Sequence, residues 1–323
     1  MKLVTAFFRL VRWPNLVFIV VTQLLFYYFI TIPVFNQYNS KPYLPVNILY
    51  LIIAASVLIA AAGYIINDYF DLNIDRVNKP DKLVVEKIIK RRWAIMWHLV
   101  LSFIGIVISF YVCLALDIFP SFFDLFIGIA NLICVMALWV YSTTYKRRLL
   151  IGNILISALT AWTILVLYVA EFPHWFKAAA EYKLNYNLAF AKLFKYAVLY
   201  AGFAFIISLV REVIKDMEDM EGDARYGCKT MPVVWGIPSS KVFTAVWLIV
   251  LICAMVIIQV YALYLGWWWS VAYCTAGIIF PLLWILQKLY KAQVAKDYHL
   301  LSNAVKLVML AGILSMVFFK IYS

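Results

Sequence analysis

The sequence predicts an all-α, polytopic membrane protein with nine transmembrane helices and a cytoplasmic N-terminus. Three observations lead there. Of the 323 residues, 66% are hydrophobic and only 14% charged, whereas a soluble domain carries about a quarter of charged residues. Apolar runs long enough to cross a bilayer, at ~20 residues each, recur along the whole chain. Lysine and arginine concentrate in alternate connections between those runs.

The first span is expected at 14–34, behind a short basic segment carrying Lys2, Arg9 and Arg12. Its charge-free run is too long for a signal-peptide core and lacks a small-residue cleavage site, so it reads as a retained helix. The remaining spans are expected at 46–66, 94–116, 121–141, 150–170, 194–213, 242–264, 268–287 and 302–321. The whole of 1–323 reads as a single integral membrane domain, with a long external loop over 171–194. With the N-terminus inside, the cytoplasmic segments carry 21 lysines and arginines and the opposite side carries six. This bias sets the orientation. It also accounts for the net charge of +12 without a nucleic-acid partner. No obligate protein partner is indicated, and membrane lipid is the surrounding medium. The five cysteines form no C-x-x-C pair and no zinc spacing. Three scattered histidines suggest no histidine metal site.

The second span ends in Asn67-Asp68-Tyr69-Phe70-Asp71-Leu72-Asn73-Ile74-Asp75. Its three aspartates follow D-x-x-D-x-x-x-D. The pattern returns at Asp216, Asp219 and Asp223, each 148 residues after its counterpart. Positions i, i+3 and i+7 share a helix face, so each site is expected to present an acid stripe at a cytoplasmic helix end. The two spans run in the same direction, which suggests a parallel internal repeat. Local stability opposes such stripes. Like charges repel at helical spacing, crowded carboxylates resist joint ionisation, and the helix C-terminus disfavours anions.

Divalent cations would offset all three penalties, and an oxygen-only donor set points to Mg²⁺. An EF-hand is excluded, because Arg76 stands where that loop needs glycine and Lys82 where it needs glutamate. Mg²⁺ held by a few carboxylates takes up phosphate oxygens. No P-loop is present, so a diphosphate fits better than a nucleoside triphosphate. Basic residues lie in the acid-bearing connections: Lys79 after the first stripe, Lys146 and Arg147 after the fourth span, Arg211 and Lys215 before the second stripe, and Lys229 after it.

These residues resemble the UbiA superfamily of intramembrane prenyltransferases. The resemblance rests on N-D-x-x-D-x-x-x-D at the end of the second span, D-x-x-x-D from Asp219 to Asp223, and nine spans. It implies an enzyme of the alkyl-transferring class (EC 2.5.1 type) that acts in lipid biosynthesis. Asn67, Asp68, Asp71, Asp75, Asp219 and Asp223 would hold Mg²⁺ and a prenyl diphosphate, with the five aspartates as the catalytic set. Lys79, Lys146, Arg147, Lys215 and Lys229 would contact the diphosphate together with Asn67. Arg12 and Asn15, in Arg12-Trp13-Pro14-Asn15, match the family's first-helix motif beside the acceptor pocket. Asp216 is assigned to position the acceptor or orient Lys215. Within the family the segments 67–80 and 211–223 are most similar to the branch that makes digeranylgeranylglyceryl phosphate. That branch alkylates the free hydroxyl of geranylgeranylglyceryl phosphate with a geranylgeranyl group. The segment after Pro80 departs from the family, lacking its glycine. The resemblance implies a plasma-membrane location with the active site near the cytoplasmic face.

Other classes compete. An aromatic acceptor would give a C-prenylated quinone precursor. A secondary transporter is compatible with intramembrane acids and a parallel repeat, but these acids sit at one edge of the bilayer and not at its middle. A scaffold binding anionic lipid leaves the acid stripes unexplained.

Overall fold

The computed structural model describes residues 2–78, 83–116, 125–180 and 184–322. Among them nine helices are long and apolar enough to cross a membrane. No strand occurs among the described residues; one isolated bridge joins Val85 and Ile89. The chain packs as two compact units, one of Met1–Tyr145 with Trp162–Ala197, the other of Lys146–Ala161 with Val198–Ser323.

The first unit opens with α1 (Lys2–Leu10) and α2 (Trp13–Leu25). A π-helical turn, Phe26–Thr31, leads into α3 (Ile32–Gln37). Pro33 explains that turn: it has no N–H to donate and its ring crowds the carbonyl four residues back, so the ladder widens locally. Next come α4 (Val46–Phe70), α5 (Leu72–Asn78), α6 (Arg91–Ala115) and α7 (Phe126–Thr143). α4 packs on α2, α6 and α7. Gly63 of α4 permits close approach to α7, since a Cβ there would lie 2.9 Å from the Leu138 side chain. Ala6, Leu10 and Val11 share a core with Ala61, Ala62 and Ile65 of α4, Leu72 of α5, and Ala94 and Leu101 of α6. Val84, Val85 and Ile89 are buried in the same core. The segment that departs from the family is therefore folded against α1 and α4 over its described part.

α8 (Ile151–Ala180) and α9 (Leu184–Glu218) run through both units. They correct the expected loop over 171–194: α8 continues to Ala180 and α9 begins at Leu184. Of the charges in that stretch, Glu171 and Lys192 are accommodated on the helices. Lys192 donates to Gln37 Oε1 and its ammonium lies over the Tyr38 ring. Glu171 is fully buried and accepts from Tyr43 N (2.8 Å), Leu44 N (3.0 Å) and the Tyr186 hydroxyl (3.0 Å).

The second unit adds α10 (Met220–Arg225), α11 (Met231–Tyr264), α12 (Trp268–Cys274), α13 (Phe280–Lys291), α14 (Ala295–Leu314) and α15 (Val317–Tyr322). α11 starts earlier than the expected 242, but its first turn is set apart by Gly236, whose φ of 81° and ψ of 163° break the helix. A second π turn, Thr275–Ile279, precedes Pro281, the same arrangement as at Pro33. The core is built on one face of α9: Ile207, Val210, Ile214 and Met217 pack with Leu248 and Leu251 of α11, Leu282, Ile285 and Leu289 of α13, and Leu301 and Val305 of α14. That spacing of three and four is the apolar stripe of a helix. It turns Ser208, Glu212, Asp216 and Asp219 to the other side of α9.

Candidate functional site

Each acidic motif sits where a long span gives way to a short helix, and in both the break is a single aspartate. α4 ends at Phe70, Asp71 has φ −84° and ψ −2°, and α5 follows. α9 ends at Glu218, Asp219 has φ −94° and ψ 6°, and α10 follows. The backbone bonds repeat as well. Asp71 N donates to Asn67 O (2.9 Å) and Asp75 N to Asp71 O (2.8 Å). Asp219 N donates to Lys215 O (2.9 Å) and Asp223 N to Asp219 O (3.1 Å). The expected stripe is interrupted by a one-residue break at the middle aspartate, across which the i→i−4 backbone bonds continue, and the last aspartate of each motif lies in the following helix. The 148-residue offset extends from residue type to backbone conformation.

In the first unit Asn67 Nδ2 donates to Asp71 Oδ2 at 2.7 Å. Asn67 Oδ1 is buried without a hydrogen-bond partner, and Asp71 is only 4% exposed. Asp68 is paired with Arg12, Nη2 to Oδ1, at 2.7 Å. Arg12 has left-handed backbone (φ 51°) and is the N-cap of α2. Its guanidinium also lies over the Tyr64 ring, 5.2 Å from the centroid. Burial alone would lower its pKa; Asp68 and Tyr64 outweigh this and the net direction is upward, so the charge is permanent. Arg12, placed by sequence beside an acceptor pocket, therefore touches the acid motif itself. Asn15 stands in the first turn of α2, its N–H on Arg12 O at 2.8 Å. Asp75 lies in α5. Lys79 lies outside the described residues.

In the second unit Asp216 Oδ2 accepts from Asn153 Nδ2 at 2.8 Å. Asn153 was not anticipated from the sequence. Leu150, just before α8, has left-handed backbone as Arg12 has before α2 (φ 61° and 51°). Asn153 follows Leu150 as Asn15 follows Arg12, three residues on. Left-handed backbone is visible only in the structure, so nothing in the sequence singled out Asn153. Glu212 was also overlooked; it binds Arg211 Nη1 at 3.0 Å and lies 3.6 Å from Lys215 Nζ. Lys146 and Arg147 form a 3₁₀ turn after α7. Lys229 N donates to Arg147 O at 2.8 Å, so the two expected diphosphate-binding segments are joined. Asp223 is 5% exposed, and its carbonyl accepts from Cys228 N at 2.9 Å.

The donor set is compatible with a hard cation. Among the described residues no three His, Cys, Asp or Glu side chains are gathered into a ready-made metal cage. Mg²⁺ does not require one, being held by one or two carboxylates with waters and substrate phosphates. Asn67 Oδ1 meets the test from the protein side: a buried carbonyl oxygen with no donor is costly, and an oxygen-seeking cation would satisfy it.

The profile of the UbiA prenyltransferase family matches residues 26–309. A digeranylgeranylglyceryl phosphate synthase of Methanosphaera stadtmanae is 30% identical over 209 residues, 64% of this chain and 65% of that synthase. The alignment therefore spans less than two thirds of the relative's length. Of solved structures, one of digeranylgeranylglyceryl phosphate synthase superposes with a TM-score of 0.58 at 21% identity, covering 98% of this chain and 99% of that one. A UbiA homolog from Archaeoglobus fulgidus bound to GPP and Mg²⁺ gives 0.54 at 15% identity, covering 96% and 99%. These likenesses establish the fold, and the match over residues 26–309 establishes the lineage: the chain belongs to the UbiA prenyltransferase family.

Proposed function

We propose that the protein transfers a prenyl group, geranylgeranyl in the first instance, from its diphosphate to the free hydroxyl of geranylgeranylglyceryl phosphate, with Mg²⁺. The observation that carries the reading is the pair of aspartate breaks, Asp71 and Asp219, with matching backbone and matching flanking acids. Mg²⁺ would be held by Asn67, Asp68, Asp71, Asp75, Asp219 and Asp223. When bound, it supplies positive charge where the departing diphosphate becomes more negative.

The chain's own residues do the rest. Lys146, Arg147, Lys229 and, beyond the described residues, Lys79 bind diphosphate oxygens by charge-assisted hydrogen bonds. Arg12 holds Asp68 in one rotamer through its 2.7 Å bond. Asn67 does the same for Asp71. The spans take up the isoprenoid tail and exclude water from the reacting carbon. The C1–O bond breaks, with its electron pair leaving on the diphosphate. The acceptor oxygen forms the new C1–O bond and releases its proton. The two A. fulgidus and synthase likenesses support this chemistry by kinship of fold, and the positive-inside bias supports placing the site near the cytoplasmic face of the plasma membrane.

The test is mass spectrometry of products formed by purified protein from geranylgeranyl diphosphate and a panel of acceptors, with and without EDTA. An ether product on the glyceryl phosphate, abolished by EDTA, is expected. A C-prenylated aromatic acid would shift the reading to the quinone branch. Coupled solute flux in liposomes without any prenyl diphosphate would replace it with a transporter.

A further inference from the structure

The turn before α6 and the first residues of α6 carry a cluster of cations to which the reaction outlined above gives no role. Lys87, Lys90, Arg91 and Arg92 fall close together in sequence, and all are exposed. The turn that presents Lys87 is fixed by its neighbours. Val84, Val85 and Ile89 are buried in the first unit's core. Ile88 N and Ile89 N donate to Val84 O (3.0 and 3.1 Å), and Glu86 N donates to Ile89 O (2.8 Å). Glu86 is the one acid between Leu83 and Leu116, and it is paired with Arg76 at 3.0 Å. Among the described residues no carboxylate pairs with Lys87, Lys90 or Arg92. Arg91 turns to Tyr69, its guanidinium carbon 4.4 Å from the ring centroid. The cluster therefore stands at the membrane edge that carries the first acid motif.

Local stability opposes this placement. Lys90 precedes α6 and Arg91 and Arg92 open it, where the helix dipole disfavours cations. The orientation rule accounts for cations at this edge, but a second feature adjoins them. From Trp93 an exposed apolar stripe runs along α6 through Trp97, Val100 and Ile104, at the intervals that share a helix face. At about 1.5 Å per residue the stripe is about 16 Å long. That is the depth of one leaflet of a hydrocarbon core about 30 Å thick. Phe7 of α1 packs on Trp97 with ring centroids 5.1 Å apart, which brings the exposed Phe8 and Arg9 of α1 to the same end of the stripe.

We infer that Lys87, Lys90 and Arg92, with the α6 stripe that begins beside them, are a binding site for an anionic membrane lipid. The head-group phosphate lies against the cations, and one chain lies along Trp93, Trp97, Val100 and Ile104. Charge complementarity selects this occupant. A group of about four or more lysines and arginines directly beside a transmembrane helix is the pattern of a surface for acidic lipid. A zwitterionic head group brings no net charge to such a group. The two indoles at the foot of the stripe suit the head-group level, where tryptophan is enriched. The site is independent of the proposed prenyl transfer, because none of its cations is assigned to the diphosphate or to the acceptor.

The experiment is native mass spectrometry of the purified full chain in neutral detergent, offered equimolar phosphatidylglycerol and phosphatidylcholine with the same acyl chains. A cation near an acidic lipid surface contributes about fivefold in affinity, so wild type should retain phosphatidylglycerol over phosphatidylcholine by at least about tenfold. In the triple variant Lys87→Gln, Lys90→Gln, Arg92→Gln the ratio should fall to within about twofold of unity. A matched triple, Lys288→Gln, Lys291→Gln, Lys296→Gln, removes as many exposed cations from another connection. Its ratio should stay within about twofold of wild type. Equal loss in both triples overturns the inference, because the preference then follows total charge and not this site. A preference that survives the first triple overturns it too. A wild type that takes both lipids alike does so whatever the variants show. A lipid-free dimer that excludes phosphatidylglycerol would give the face to a second copy of this chain and overturn the choice of lipid.

Discussion

Asn67 allows the metal assignment to be tested through stability as well as activity. In Asn67→Leu the bond from Nδ2 to Asp71 Oδ2, 2.7 Å long, is lost. A hydrogen bond to a charged group contributes about 1.5–3 kcal/mol. The same change deletes Oδ1, a buried carbonyl oxygen without a partner, whose burial costs about 1–3 kcal/mol. The two effects oppose, so metal-free stability should change by less than about 2 kcal/mol. The response to ligand should change more. A ligand at a hundred times its Kd stabilises by about 2.7 kcal/mol, and loss of one coordinating oxygen that weakens binding about tenfold removes about 1.4 kcal/mol of that. Thermal unfolding of detergent-solubilised protein, with and without Mg²⁺ and geranylgeranyl diphosphate, reads both quantities. An undiminished ligand-induced shift in Asn67→Leu would refute Oδ1 as a ligand. A metal-free loss above about 3 kcal/mol would refute the claim that the oxygen is unsatisfied.

Further outcomes follow from other sites. Asp71→Ala and Asp219→Ala should each lower prenyl transfer by at least about a hundredfold, and turnover retained in either would remove that aspartate from the site; a lost oxyanion-type contact costs on that scale. Glu171→Ala should destabilise by about 2–6 kcal/mol, because two backbone N–H groups lose their acceptor at about 1–3 kcal/mol each, while the Tyr186 hydroxyl keeps the Glu171 carbonyl at 3.4 Å. Chemical denaturation of solubilised protein measures this, and a change under 1 kcal/mol would contradict the network. Gly312→Ala should cost about 1–3 kcal/mol, since the new Cβ would lie 2.5 Å from the Phe203 ring; unchanged thermal unfolding would show that the ring yields freely.

The number of spans was legible because lipid demands long apolar helices with every backbone group paired internally, and such runs stand out in composition. The acid motif was legible because aspartates in an apolar chain have few benign explanations. Helix limits were less so. The stretch 171–194 read as a loop, yet a helix tolerates a lysine whose long side chain reaches a polar partner, as Lys192 does at Gln37. The break at Asp71 and Asp219 also escaped notice, because no proline or glycine marks it; a change of a few tens of degrees in ψ at one residue leaves no trace in composition. Partners were least accessible of all. Arg12 meets Asp68 across 56 residues and Asn153 meets Asp216 across 63, and neither separation has a period. Only the repeated left-handed residues at Arg12 and Leu150 tie the two local arrangements together.

Glu171 also constrains how the first unit is made. Its carboxyl is buried, and its donors come from both directions of synthesis: Tyr43 and Leu44, more than 120 residues earlier, and Tyr186, 15 residues later. An acid without donors is costly to place away from water, by several kcal/mol. The fifth span therefore receives the donors for its buried acid only from segments made well before and shortly after it. Assembly of this unit is thereby coupled across chain segments translated well apart.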